Sequence, residues 1–215
     1  PLFYHLYLFP FIEYTCIRQI VYSISLTEGE LTMTNQYNKD GKKEGLWVKI
    51  YDNGAIQEEK NYVNGVREGE YKSYYMNGQI ETRKFYKNGN IDGVYETFYS
   101  DGKLSSVRHL VDGEAKGLCE EYYPNGKIKR TAFYETTSTT SKNLKYYPNG
   151  QLKLSVNLKN GAMFGLYKEY YSNGTLHIEC HYTDHGKLHG RYREFDAAGN
   201  LLKDCTYIDG VEQIK

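Results

Sequence analysis

His177, His181, His185 and His189 recur every four residues, with Cys180 among them, and are the residues of this chain best suited to hold a transition metal. Imidazole nitrogens and thiolate are ligands that zinc prefers, and on an α-helix an i, i+4 series would stack them on one face. On a β-strand the same spacing fails. At a rise of ~3.3 Å per residue, His177 and His181 would stand ~13 Å apart, with His185 and His189 in the next loop. Plain alternation also turns Cys180 away from both His177 and His181. These residues therefore read as surface histidines, with no metal and no cofactor implied. Nucleophilic chemistry has no better footing. Ser73 and Ser172 lack a GxSxG setting, and no Cys/His/Asp set falls at a predictable adjacency. The glycines come as Asx-Gly pairs rather than as a phosphate-cradling loop before a helix. The chain reads as a non-enzyme.

These exclusions require strands, and the repeat supplies them. Gly45, Gly69, Gly93 and Gly117 are 24 residues apart, Ser141 takes the next slot and Gly165 the one after. Asx-Gly pairs keep the same period at Gly54, Gly78, Gly102, Gly126, Gly150 and Gly174, and Gly199, which follows Ala198, comes one residue late because of an insertion near Thr183 to Gly186. A second glycine follows in most units, at Gly65, Gly89, Gly113, Gly161, Gly186 and Gly210. Each unit thus has two turns, separated by short runs rich in Tyr, Phe, Ile and Leu, too short for helices. Hairpin follows hairpin with no crossover. The expected fold is all-β: a repeat protein forming one elongated, twisted antiparallel meander of about fourteen strands, built from tandem β-hairpins.

The turn type fixes which residues share a face. In YYPNGK and YYPNGQ the residue before Asn-Gly is Pro124 or Pro148, which cannot donate the N–H that a two-residue turn needs. A three-residue loop fits instead: a type I turn with proline first and Asn second, then glycine in the left-handed conformation as a bulge. Tyr122 should then lie opposite Ile128, and Tyr123 opposite Lys127. Alternation puts Tyr74, Phe98, Tyr122, Tyr146, Tyr170 and Phe195 on one face with Ile56, Ile80, Leu104, Ile128, Leu152, Leu176 and Leu201. Tyr62, Tyr86, Tyr134, Tyr182 and Tyr207 are expected there too. The other face carries Trp47, Tyr71, Tyr95, Tyr167 and Tyr192 with Tyr51, Tyr75, Tyr99, Tyr123, Tyr147 and Tyr171.

The 24 tyrosines fit such a sheet. A single layer cannot hide its side chains, and tyrosine buries area against its neighbours while its hydroxyl stays in water. Charge is balanced, with 27 Lys+Arg against 27 Asp+Glu, so no net field recruits nucleic acid or an anionic membrane. Cys16, Cys119, Cys180 and Cys205 have no CxxC spacing and read as reduced thiols, favouring the cytoplasm. Cys180 and Cys205 fall two strands apart, ~9.6 Å, too far to pair.

Units of the form GxYxxYYxNGxLxxxxxYxxGxxxG resemble the MORN-repeat variant over residues 36 to 215, and the nearest likeness is to the bacterial YwqK-type antitoxin group. That resemblance implies a bacterial toxin–antitoxin partner: a protein that neutralises a toxin domain by binding it, without catalysis. No family-wide functional residue comes with it. The candidate docking residues are those of the tyrosine ladder: Trp47, Tyr71, Tyr75, Tyr95, Tyr99, Tyr123, Tyr147, Tyr167 and Tyr171. The alternative is a structural or membrane-peripheral scaffold of the envelope.

Two departures stand out. After Gly117 the loop glycines give way to ETTSTTSKN, and Cys119 and Asn143 take ladder positions held elsewhere by tyrosine or Trp47. This stretch reads as a drifted, solvated loop or as a specificity patch in mid-sheet. Residues 1 to 32, opening PLFYHLYLFPFI, fit no unit and are too short an apolar run to span a membrane. They read as a translated leader ahead of a start at Met33, with purine-rich codons for Glu28–Glu30 acting as a ribosome-binding site. If instead they are the remnant of a signal, the protein is exported. The repeat domain then runs from 33 to 215, with units starting near 45, 69, 93, 117, 141, 165 and 190.

Overall fold

The computed structural model describes residues 24–27, 30–134 and 140–213. The leader reading of residues 1 to 32 lies mostly outside them, as does most of the Thr-rich loop. Strands β1 (Ile24–Thr27) and β2 (Glu30–Met33) pair with each other alone. The remaining seventeen form one antiparallel sheet in chain order. They are β3 (Gln36–Tyr37), β4 (Lys43–Ile50), β5 (Ile56–Val63), β6 (Val66–Tyr74), β7 (Ile80–Lys87), β8 (Asn90–Phe98), β9 (Leu104–Val111), β10 (Glu114–Ala115) and β11 (Gly117–Tyr122). Then come β12 (Ile128–Tyr134), β13 (Thr140–Tyr146), β14 (Leu152–Lys159), β15 (Ala162–Tyr170), β16 (Leu176–Tyr182), β17 (Gly190–Phe195), β18 (Leu201–Ile208) and β19 (Val211–Gln213).

The meander is as expected, with three more strands than the repeat count gives. Short β3 and β19 extend its ends, and one strand is interrupted into β10 and β11, both paired with β9. Among the described residues β3 pairs with β4 and β19 with β18, no ladder joins β3 to β19, and the sheet is open.

Two turn chemistries alternate along it. At one edge, Gly126 donates to the Tyr123 carbonyl at 2.8 Å, Tyr123 donates to the Lys127 carbonyl at 2.8 Å, and Gly126 has φ 80°. That is the type I turn with a glycine bulge, and Tyr122 pairs with Ile128 as expected. Gly54, Gly78, Gly102, Gly150, Gly174 and Gly199 repeat it. The opposite edge uses two-residue turns in which both residues have positive φ, as at Asn64 (51°) and Gly65 (83°), the I′ geometry that matches strand twist. The insertion near Thr183 converts one of these into a second three-residue loop, with Gly186 donating to Thr183.

The face assignment needs one correction. Ile50 pairs with Ile56 but Lys49 pairs with Glu58, so Gln57 is an extra residue in β5. The same skip occurs at Glu81, Ser105, Lys129, Lys153, His177 and Leu202. Each bulge reverses the alternation that follows it. Ile56 therefore stays on the aliphatic face while Tyr62 crosses to the tyrosine face, where its ring meets Trp47 at 6.1 Å. Tyr86 meets Tyr71 at 6.2 Å, Tyr182 meets Tyr167 at 5.9 Å and Tyr207 meets Tyr192 at 5.7 Å. Tyr134 crosses likewise, opposite Gly117.

The buried apolar positions accordingly lie on the tyrosine face: Tyr62, Tyr86, Cys119, Ala132, Val156 and Cys180. The aliphatic face stays wetter, with Ile56, Phe85, Leu118, Phe133 and Leu201 exposed.

Candidate partner-binding face

The ladder tyrosines fall into two rows with different duties. Tyr51, Tyr75, Tyr99, Tyr123, Tyr147 and Tyr171 each donate the phenol proton to a backbone carbonyl of the next unit, respectively Tyr74, Phe98, Tyr122, Tyr146, Tyr170 and Phe195, at 2.6–3.0 Å. Every acceptor lies one residue beyond the last ladder pair with the preceding hairpin; the β7–β8 ladder, for instance, stops at Thr82 and Thr97, and Phe98 follows. The bulge leaves that carbonyl without a strand partner, and the phenol supplies one. These hydroxyls are thus not kept for water. Turn asparagines add a second tie, Asn77 to Ser100, Asn125 to Pro148, Asn149 to Ser172 and Asn173 to Ala197.

Trp47, Tyr71, Tyr95, Tyr167 and Tyr192 form the other row, in mid-strand. Trp47 donates its indole N–H to the Gln36 carbonyl at 3.2 Å. Tyr71, Tyr167 and Tyr192 donate to Glu58, Glu169 and Glu194. Burial, with the neighbouring carboxylates adding to it, pushes the Tyr71 and Tyr192 phenols up to about 12 and Tyr167 higher still.

Cations cover the rings in the first units. Lys84 Nζ sits 4.5 Å from the Tyr71 ring centre, 5.3 Å from Tyr95 and 5.6 Å from Tyr86. Lys43 caps Trp47 at 4.2 Å, and Arg108 lies 5.9 Å from Tyr95. Such contacts contribute about 0.5–1 kcal/mol each where solvent reaches them.

In the middle of the sheet this arrangement is interrupted, and it returns in the last unit with Lys203 5.7 Å from the Tyr192 and Tyr207 ring centres. The positions equivalent to Lys60, Lys84 and Arg108 become Ala132, Val156, Cys180 and Cys205, while Cys119 and Asn143 take the ring positions. Ala132 is only 2 % exposed and Asn143 3 %. In place of rings there is a polar chain: Arg130 donates to Glu121 at 3.0 Å and to Asn143 Oδ1 at 2.6 Å, and Asn143 donates to Ser141 at 2.9 Å. Equivalent positions 24 residues apart carry this change in the sequence; comparing unit with unit down one register position would have found it.

The histidine series is dispersed, with one correction. His177 is itself a bulge residue, and its ring lies 4.4 Å from Tyr171, so it shares the tyrosine face with Cys180. His181 points the other way, paired with Leu166. Among the described residues no three His, Cys, Asp or Glu side chains converge as a metal site. Cys119, Cys180 and Cys205 are free thiols, Cys180 pushed up to about 11 by burial.

An open sheet of hairpins, tied unit to unit through tyrosine and asparagine, defines a tandem-repeat architecture. The MORN repeat variant family matches residues 43–64, 67–90, 91–112, 115–136, 142–160, 165–184 and 188–209. The chain belongs to the MORN repeat variant family, whose units build binding modules. Comparison with curated proteins found none that matches. Among the described residues no helix is long and apolar enough to cross a membrane.

Proposed function

We propose that the protein is a non-catalytic docking module, an antitoxin or immunity protein that neutralises a partner toxin by direct binding from the cytoplasm. One observation supports docking above the others: seven units lie side by side in a single open layer with no second layer over it, so that a broad face of charges and half-buried rings remains accessible. Tyrosine and tryptophan give large contact area with few rotors to freeze, which favours them at interfaces. The antitoxin assignment comes from the resemblance to the YwqK-type group. Trp47, Tyr71, Tyr95 and Tyr167 are the better docking candidates. Tyr75, Tyr99, Tyr123, Tyr147 and Tyr171 contribute ring faces while their hydroxyls hold neighbouring units.

Co-expression with a toxin-like product of an adjacent gene tests the reading. Growth should be restored and the two chains should purify together. A chain that neither rescues nor co-purifies is no antitoxin. Tyr95→Ser and Tyr167→Ser should weaken the complex without unfolding the sheet, and unchanged affinity would move the contact off this face.

A further inference from the structure

The chain is neutral overall, yet Tyr122 to Asn160 contain seven Lys or Arg and a single acidic residue, Glu135. Four of those cations meet where the ladder lacks rings. Arg130 and Lys145 are direct partners across β12 and β13, and Lys129 and Lys153 are the bulge residues of β12 and β14. Neighbouring strands lie ~4.8 Å apart, so the Cα atoms of the four fall within ~10 Å of one another. With one carboxylate, Glu121, they line a groove of about 520 Å³ whose apolar lining is Leu154, Val156, Leu158 and Met163. That is within the range of about 300–1,000 Å³ usual for ligand sites.

Elsewhere in the sheet many cations have a carboxylate beside them. Lys60 pairs with Glu58 at 2.6 Å, Arg83 with Glu96 at 2.6 Å, Lys168 with Glu179 at 2.9 Å and Lys203 with Glu212 at 2.7 Å. In the groove, among the described residues, only Arg130 has a close carboxylate. Lys129 reaches Glu121 at 3.9 Å, Lys153 lies 5.3 Å from the Tyr147 ring, and Lys145 has no carboxylate within ion-pair reach. Gathering like charges over an apolar floor raises the free energy of the empty groove. A ligand bearing carboxylates on an apolar body would lower it.

We propose that this groove seats an acidic, amphipathic segment of the partner protein. An apolar side chain lies over Leu154 and Val156, and carboxylates pair with Lys129, Lys145 and Lys153. The inference rests on the docking function proposed above and names the chemistry of the partner.

A dye-labelled peptide alternating Glu with Leu is the probe, titrated by fluorescence polarisation, with a Lys/Leu peptide of the same length as control. The Glu/Leu peptide should bind preferentially, lose affinity as salt rises, and bind at least about tenfold more weakly to the K145E/K153E variant. L154E, which leaves all four cations in place, should also weaken it. Circular dichroism establishes that both variants remain folded. Equal binding by wild type and K145E/K153E, or no preference over the Lys/Leu peptide, overturns the assignment. So does displacement of the Glu/Leu peptide by single-stranded DNA or phosphatidylserine vesicles at lower concentration than by its unlabelled form, which would give the groove to a nucleic acid or a membrane. If K145E/K153E loses the peptide but holds its toxin partner with full affinity, the groove is not the partner's seat and the docking function stands. If the peptide behaves as expected while no toxin partner binds, the antitoxin reading fails and the groove stands.

Discussion

The Tyr99 hydroxyl donates at 2.6 Å to the backbone carbonyl of Tyr122, 23 residues further on and in the next hairpin. Five other tyrosines make the equivalent bond, so the row presented at the turn edge is a set of ties between units as well as a surface. In a repeat array stability resides largely in such nearest-neighbour terms.

Tyr99→Phe keeps the ring and removes only the tie. It should lower stability by about 1 kcal/mol, because the Tyr122 carbonyl loses its protein donor. The check is the shift in urea midpoint, with the aromatic near-ultraviolet signal unchanged. No shift would mean that water replaces the phenol without loss.

Gly126→Ala tests the turn. Nothing lies within 4 Å of the added methyl group, so the cost is conformational alone, from holding φ near 80°. A loss of about 1–2 kcal/mol is expected in thermal or urea unfolding. Gly126→Asn should cost less, since Asn tolerates the left-handed region.

Asn143→Ala should be among the more damaging single changes in the middle of the sheet. It deprives the Arg130 guanidinium of the Oδ1 acceptor at 2.6 Å and Ser141 of a donor, in a buried position. A loss of about 1–3 kcal/mol is expected. Hydrogen exchange should show the loosening confined to β12, β13 and β14.

Alkaline pH should unfold the sheet over a defined window. The Tyr71, Tyr122 and Tyr192 phenols rise from 10 to about 12, chiefly through burial. Above pH 10 the unfolded chain releases these protons while the folded chain retains them. Stability is therefore full below pH 10 and falls as pH rises towards 12. Tyrosinate absorbance followed with circular dichroism should show the buried phenols ionising together with unfolding. Ionisation of Tyr71, Tyr122 and Tyr192 near 10 in a sheet that stays folded would contradict the burial.

The architecture was legible because its determinants are local. Positive φ at Gly126 and the missing N–H of Pro124 select one turn whatever the rest of the chain does, and their recurrence declares the hairpins. The pairing of Tyr122 with Ile128 follows from that turn alone. Face membership further along each strand did not follow. Residues such as Gln57 and Lys129 carry no mark in their side chains that they will bulge, so Tyr62 and Tyr134 were assigned to the wrong side by plain alternation.

The candidate site divides in the same way. The row from Tyr51 to Tyr171 was visible, but its bonds to the next unit were not, since a carbonyl becomes an orphan only when a bulge ends the ladder beside it. The basic groove was masked by an overall charge of zero. Sequence by itself determined the repeat, its turns and its strands, because backbone stereochemistry acts within a few residues. Tertiary structure alone decided which side chains share a face and which cations stand together, because strand register brings near in space residues that the chain holds apart.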